Sequence, residues 1–301
     1  MPSWIQGLDT GESLFRFINY IKSEDFRITL ILIRKSPLTI LGISITLFLI
    51  IIALFAPVIA IHDPIKQDLN ERLLPPSPEH LFGTDQLGRD IFSRVIWGSR
   101  ISLFIAIVVV AISLTIGTSV GLIAGYFGGK IDEILMRITD MFMAFPRLIL
   151  ALAVAAALGP GLFNTMMAIA FVDWVFYARL ARANALQIKD ETYIEAARAA
   201  GASNMRIIFR HVLPIAIPTL VVRATLDMGG TILTAAALGF LGLGVQPPTP
   251  EWGVMVSEGR RFITEQWWVS TFPGFAILLA TMGFNLLGDG INDILNVRAR
   301  R

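Results

Sequence analysis

The chain of 301 residues is 54% hydrophobic and 16% charged, which excludes an ordinary soluble domain. With a mean hydropathy of +0.67, it is expected to be an all-α integral membrane protein. The net charge of +2 decides little, because orientation depends on where the cations lie. The lack of cysteine excludes disulfides and thiolate metal sites. His62, His80 and His211 are far apart in sequence, so no metal site is expected.

Residues 1–36 are predicted to be a cytoplasmic or interfacial segment that precedes the membrane domain. Leu14, Phe17, Ile18 and Ile21 share one helical face, with cations on the other faces. This pattern indicates an amphipathic helix lying on the membrane surface, and a disordered tail is the alternative.

The first predicted span runs from Pro37 to Ala60, about 24 residues or roughly 36 Å of helix. Several cations precede this span, which places the N-terminus in the cytoplasm. The polar, turn-rich stretch from Ile61 to Arg100 is therefore expected outside the cell, as a capped and salt-bridged loop.

The second span, Ile101 to Tyr126, is uncharged and carries a glycine at every fourth position, at Gly117, Gly121 and Gly125. This spacing lets a neighbouring helix approach closely. A short cytoplasmic connection follows this span.

A third span is predicted from Met141 to Leu158, with a kink at Pro146. The glycine-rich turn from Gly159 to Gly161 then leads outside the membrane into a fourth span, Leu162 to Leu180.

A charged segment from Thr192 to Pro214 separates the fourth and fifth spans. Its alanines give the first helix a surface of small side chains. Gly201 is expected to break that helix and to send a second short helix, Ser203 to His211, off at an angle with Ser203 as its N-cap.

The fifth span is predicted to begin at Pro214 and to end near Gly242. An external segment, Gln246 to Gln266, precedes a sixth span from Val269 to about Leu287. Most of the 25 lysines and arginines then fall on one side of the membrane. This bias predicts six spans with both the N- and C-termini in the cytoplasm.

Four ionisable residues fall within the predicted spans: Arg147, Asp173, Arg223 and Asp227. Arg223 and Asp227 are four residues apart and can pair on one helical face. The estimated depths of the four residues permit a single cluster without requiring one. Such residues either line a translocation path or form buried ion pairs that brace the helix bundle.

The cytoplasmic segment resembles the EAA loop of the membrane-spanning subunits of ATP-binding-cassette importers. The residues that carry the resemblance are Glu195, Ala196, Ala197, Gly201, Leu213 and Pro214. In that family the loop forms a coupling helix that sits in a groove of the cytoplasmic ATPase. The resemblance therefore implies an ATPase-coupling role for the loop at residues 186–213.

Two external stretches resemble the dipeptide and oligopeptide branch of these importers. One contains Gly83-Thr84-Asp85, Gly88-Arg89-Asp90 and Gly98. The other runs from Pro247 to Gly253 and reads PPTPEWG.

The resemblance implies that residues 37–301 form the six-span domain of a type I importer permease, in contact with membrane lipid. The implied partners are a second homologous permease subunit, two cytoplasmic ATP-binding subunits and an external substrate-binding protein, with no nucleic acid. ATP hydrolysis would occur on the partners, so neither catalytic residues nor a cofactor are expected in this chain.

The implied cargo is a dipeptide or oligopeptide that crosses the cytoplasmic membrane. Nickel or another small solute carried by the same type of complex is one alternative. A secondary transporter or channel that works without ATP is another, although the internal repeats typical of that class are not evident in the sequence.

Overall fold

The computed structural model describes residues 33–34 and 36–299, with side chains as far as residue 295. Helices connected by turns dominate this part of the chain. The α-helices are α1 (Pro37–Ile59), α2 (Ile91–Phe127), α3 (Gly129–Met143), α4 (Arg147–Leu158), α5 (Leu162–Ile188), α6 (Thr192–Ala199), α7 (Asn204–Ile207), α8 (Leu213–Phe240), α9 (Trp252–Gly259) and α10 (Trp268–Ala299). The amphipathic helix predicted around Leu14–Ile21 lies outside the described residues.

Four helical stretches of the described part are long and apolar enough to cross a membrane: Pro37–Ile59, Ile91–Phe127, Asn204–Phe240 and Trp268–Leu295. A fifth crossing is reached if the bent pair α3 and α4 is taken as one span. Helix α5 has 27 residues, or roughly 40 Å, which is enough length to cross. It carries charged residues, which lower its hydropathy.

The prediction of a single third span kinked at Pro146 is wrong. Helix α3 ends at Met143, and the chain bends by 90° before α4 begins at Arg147. Pro146 has a ψ of 124°, which is outside the helical range, so it precedes a new helix instead of kinking one. Helix α4 has 12 residues, or roughly 18 Å, a little over half of the hydrocarbon core.

The fifth span does not begin at Pro214, because the helix is continuous from Asn204 to Phe240. A π-helical turn at Ile208–Val212 replaces the predicted boundary, and in it the Leu213 N–H donates to the Ile208 carbonyl five residues back. Proline has no N–H, and its ring clashes with the carbonyl four residues back in a regular helix. The wider turn before Pro214 accommodates the ring without ending the helix.

The sixth predicted span ends too early, since α10 continues beyond Gly288 and Gly290. Both glycines are packing sites. A Cβ atom on Gly288 would lie 2.6 Å from the Leu226 side chain, and one on Gly290 would lie 2.5 Å from Thr39 Oγ1. Their small size therefore serves contacts with α8 and α1 and does not mark a helix end.

The glycine ladder of α2 packs against α5, as its spacing predicts. Cβ atoms on Gly117 and Gly121 would overlap with the carbonyl oxygens of Trp174 and Ala178. A Cβ atom on Gly125 would lie 2.7 Å from the Arg182 carbonyl oxygen. The two helices touch backbone to backbone along three successive turns, which makes α2 and α5 the central pair of the bundle.

Candidate functional site

The segment from Thr192 to Pro214, predicted to be cytoplasmic, is anchored on the bundle by its buried aliphatic side chains, which also include Ile208 and Val212. Ile194 of α6 and Ile207 of α7 are completely buried, in a cluster with the ends of α2 and α5. Arg198 stacks over the Tyr126 ring at 5.4 Å, and the Tyr126 hydroxyl lies 3.0 Å from Asn204 Oδ1. The segment is therefore held in a fixed position at the end of the central helix pair.

Gly201 breaks the segment as predicted. Its φ of +82° lies in the left-handed region, which favours glycine, and a Cβ atom there would meet nothing within 4 Å. Ser203 caps the next helix, with its Oγ accepting from the Arg206 N–H at 3.4 Å. The chain turns at Gly201 between α6 and α7, and this turn with its two helices is called the corner below.

The six residues that carry the EAA resemblance occupy two places on this corner. Glu195, Ala196 and Gly201 are exposed, and Ala197 is partly buried. Leu213 and Pro214 begin α8 after the π-helical turn, with Leu213 packed on the buried cluster and Pro214 exposed.

Three large apolar side chains on the same segment were not identified from the sequence. Tyr193, Met205 and Phe209 are 42%, 55% and 59% exposed. Met205 and Phe209 line an apolar cavity with residues of α2 and α8, whereas the Tyr193 ring lies beside His211. Exposed apolar side chains of this kind occur on protein-binding surfaces. Their apolar character beside the alanines was the sequence signal that could have identified them.

The four intramembrane ionisable residues form two ion pairs. Arg147 of α4 binds Asp173 of α5 in a bidentate arrangement, with Nε–Oδ1 and Nη2–Oδ2 distances of 2.7 and 2.6 Å. Arg223 pairs with Asp227 one turn along α8, with an Nη2–Oδ1 distance of 2.9 Å, as the sequence predicts.

The two ion pairs are neighbours. A Cβ atom on Gly230 of α8 would lie 3.4 Å from Arg147 Nη1. The Arg223 guanidinium lies 5.3 Å from the ring of Phe176, which is on α5 close to Asp173. The two pairs therefore lie near each other where α4, α5 and α8 meet.

A second buried charge network holds together the two segments that the sequence predicts to be external. Arg89 and Arg94 are both 1% exposed, and both donate to Glu258 Oε2, at 2.9 and 3.2 Å. Arg89 also pairs with Asp85 at 2.6 Å. The salt bridges expected in the stretch from Ile61 to Arg100 are confirmed, but its last ten residues, including Arg94, form the start of α2 and no loop. Glu258 was missed, because it lies on α9, far along the chain, and no local pattern links it to the arginines.

Glu251 caps α9 from a completely enclosed position. Its two carboxylate oxygens accept from the Gly253 and Val254 N–H groups, each at 3.0 Å, and Ser102 Oγ donates at 3.3 Å. Burial raises the pKa of the Glu251 carboxyl group, although the backbone donors oppose that shift. This contact fixes α9 against α2.

No metal site was expected, because the three histidines are far apart along the chain, but two of them lie close together in the structure. The rings of His62 and His80 have centroids 4.8 Å apart, because the external loop folds back onto the start of α2. Asp90 lies between them.

Comparison with solved structures identifies the class of fold. A chain of the methionine transporter MetNI, in an inward-facing conformation, aligns with a TM-score of 0.54 and 22% identity over 68% of this chain and 96% of that chain. The shared fold is that of a type I importer permease. With several apolar helices, this chain is a multi-pass inner membrane protein.

Two family models match the sequence. The model described as binding-protein-dependent transport system inner membrane component covers residues 117–301. The model described as the N-terminal TM domain of oligopeptide transport permease C covers residues 26–76. The chain belongs to the family of binding-protein-dependent transport system inner membrane components.

Several curated relatives are similar over most of their length. A probable D,D-dipeptide transport system permease protein of Escherichia coli K12 is 50% identical over 89% of this chain and 90% of its own. The dipeptide transport system permease protein of Alkalihalophilus pseudofirmus is 46% identical over 89% and 88%. A glutathione transport system permease protein of Pectobacterium atrosepticum is 48% identical over 75% of each chain.

Proposed function

We propose that this chain forms half of the translocation path of an ATP-driven importer of short peptides, beside a second homologous permease subunit. The curated relatives named above are permeases for D,D-dipeptides, dipeptides and glutathione. These cargoes share a short chain of amide-linked residues. That shared chemistry supports a short peptide as the cargo class.

The proposed topology has six spans and places both termini in the cytoplasm. Residues 1–36 form the cytoplasmic or interfacial segment, and residues 37–301 form the membrane domain. Helix α5 is the remaining span. Its length and its backbone contact with α2 support this assignment, since a helix packed so closely on a spanning helix shares its direction across the membrane.

The observation that carries the proposal is the shape of the cytoplasmic segment. Its base is held by Ile194 and Ile207, while its outer side offers small and apolar side chains to a partner. We assign the loop at residues 186–213 to docking on one of two cytoplasmic ATP-binding subunits. An external substrate-binding protein would deliver the cargo to the opposite end.

Docking of this kind can couple ATP hydrolysis to transport only if the docking free energy differs between two states of the transporter. ATP hydrolysis is assigned to the partners. This chain then supplies the docking segment and half of the path, with no catalytic group or cofactor. Its coupling residues are Glu195, Ala196, Ala197, Gly201, Leu213 and Pro214.

A charged side chain at Gly201 tests the docking surface. Gly201→Asp should reduce substrate-stimulated ATP hydrolysis and uptake by the reconstituted complex about tenfold, equal to about 1.4 kcal/mol of docking energy. The matched control is Gly159→Asp, because Gly159 has a φ of +84° and is equally unobstructed. Both changes place a side chain at a positive φ, but Gly159 lies in the predicted external turn.

Equal loss of coupling in both variants would attribute the effect to backbone strain, and normal coupling in Gly201→Asp would exclude docking at this corner. A pulldown of the ATP-binding subunits with each variant provides an independent measure of docking.

A further inference from the structure

Two of the three histidines of the chain meet a carboxylate in the external loop between α1 and α2. His80 Nδ1 lies 2.9 Å from Asp90 Oδ1, and His62 Nδ1 lies 3.8 Å from the same oxygen. One ligand atom from each residue can be chosen so that all three lie within 4.8 Å of one another. Imidazole nitrogen and carboxylate oxygen are common ligands of Zn²⁺.

The loop positions these groups through Ser93. The Ser93 N–H donates to Asp90 Oδ2 at 2.7 Å, and Ser93 Oγ accepts from the His62 backbone N–H at 3.0 Å. Asp90 therefore caps α2 with one oxygen and turns the other toward both histidines. His80 is held by its own N–H, which donates to Ser77 Oγ at 3.1 Å.

The surroundings match those of a metal-binding histidine. His80 Nε2 lies 3.4 Å from Glu71 Oε2, so the nitrogen that does not face Asp90 has a carboxylate partner. Metal-ligating histidines usually donate their other ring N–H to such a group. His62 Nδ1 is buried and has no hydrogen-bond partner within the described residues. A buried nitrogen lone pair without a partner points to a missing ligand.

We propose that His62, His80 and Asp90 bind a divalent transition-metal ion, with Zn²⁺ as the preferred ion. Ligands at about 2.0–2.1 Å from a tetrahedral Zn²⁺ are roughly 3.4 Å apart. The distances from Asp90 Oδ1 to the Nδ1 atoms of His80 and His62, 2.9 and 3.8 Å, lie on either side of this value. Small rotations of the three side chains would bring their ligand atoms to these distances.

The fourth coordination position faces a pocket of about 400 Å³ that the three ligands help to line. Its other lining side chains include the carboxylates Asp63, Asp68, Glu71 and Glu79 and the ammonium group of Lys66. The excess of carboxylates attracts a divalent cation. Three protein ligands with one open position leave room for water or for a donor atom of a bound molecule.

Zinc binding by the full chain in detergent tests the site. The protein is purified with an affinity tag that contains no histidine, stripped with a chelator and titrated with Zn²⁺. We expect one tightly bound Zn²⁺ per chain and an increase in the unfolding temperature followed by tryptophan fluorescence. Glu71→Gln should weaken binding by about 10- to 100-fold.

His62→Ala is the decisive variant. The His62 side chain is 37% exposed, and its ring makes no hydrogen bond within the described residues, so its removal leaves the fold intact. We expect this variant to lose the bound Zn²⁺ and the thermal shift. His211→Ala removes the third histidine, on the cytoplasmic segment, and should bind Zn²⁺ like the natural chain.

Two results would overturn the proposal. One is a natural chain that retains no Zn²⁺ at micromolar free metal, which would leave His80 and Asp90 as a simple hydrogen-bonded pair. The other is a His62→Ala variant that binds Zn²⁺ as tightly as the natural chain, since that would place the metal elsewhere. The readout does not depend on transport, so it stands apart from the proposed function.

Discussion

The two intramembrane ion pairs differ in what they connect. Arg147 and Asp173 belong to different helices, and the Asp173 side chain is 6% exposed. Arg223 and Asp227 lie on the same helix, and the Asp227 side chain is 12% exposed. The ion pair itself therefore joins no two helices, and only the contact of Arg223 with the Phe176 ring reaches α5. We therefore assign the bracing role to the pair between α4 and α5, and this leaves Arg223 available to face a path or a partner.

Removal of one buried partner should test this assignment. Asp173→Ala leaves the Arg147 charge uncompensated, which costs about 3 to 5 kcal/mol. Asp227→Ala should cost less, because Arg223 retains its contact with the Phe176 ring. The measurement is the fraction of each purified variant that stays monodisperse after heating.

The double variant Arg147→Leu with Asp173→Leu provides the control, since removing both charges of a buried pair is often nearly neutral. Equal stability of Asp173→Ala and Asp227→Ala would contradict the distinction between the two pairs.

Among the contacts between helices, that between α2 and α5 leaves the least space for a Cβ atom added at a glycine. Gly121→Ala should destabilise the chain by about 1 to 3 kcal/mol, because the new methyl group overlaps with the Ala178 carbonyl oxygen. Gly274→Ala in α10 is the control, since its Cβ atom would meet only the Val256 side chain at 4.0 Å.

The control variant should instead gain about 0.5 to 1 kcal/mol, the usual benefit of replacing a helical glycine by alanine. Unfolding followed by tryptophan fluorescence measures both changes. A Gly121→Ala chain as stable as the natural one would mean that α2 and α5 can separate at little cost.

Local chemistry determined which elements could be predicted from the sequence. The left-handed glycine at Gly201 and the cap at Ser203 depend on neighbouring residues, and both appear where expected. The 90° bend near Pro146 and the π-helical turn before Pro214 depend on how the chain accommodates a proline. Proline has several outcomes, and tertiary packing selects among them.

The candidate sites also separate into those set by neighbouring residues and those set by tertiary contacts. The EAA residues form a contiguous segment and were found from their spacing. His62, His80 and Glu258 were missed as partners because their neighbours come from other parts of the chain. Contacts of that kind are fixed by the three-dimensional path of the external segments, which residue spacing does not encode.

At the scale of the whole molecule, the orientation in the membrane can be measured directly, because the chain contains no cysteine. Glu79 lies on the external loop, and Glu133 on α3 is 72% exposed on the side predicted to be cytoplasmic. In cells with an intact cytoplasmic membrane, an impermeant thiol reagent should label Glu79→Cys and leave Glu133→Cys unmodified.

Permeabilised cells supply the control, since both cysteines should then react. Labelling of Glu133→Cys alone in intact cells would invert the topology and would place the EAA segment outside the cell.

The uninterrupted helix from Asn204 to Phe240 has a mechanical consequence. Its 37 residues make a rod roughly 55 Å long. At the cytoplasmic end it carries the corner assigned to docking. At the other end a Cβ atom on Gly239 would lie 2.6 Å from Glu251 Oε2, which caps α9. If this helix pivots by about 5° about one end, its other end moves by roughly 5 Å. If the segment docks on an ATP-binding subunit as proposed, this helix would act as a lever that transmits motion from that end to α9.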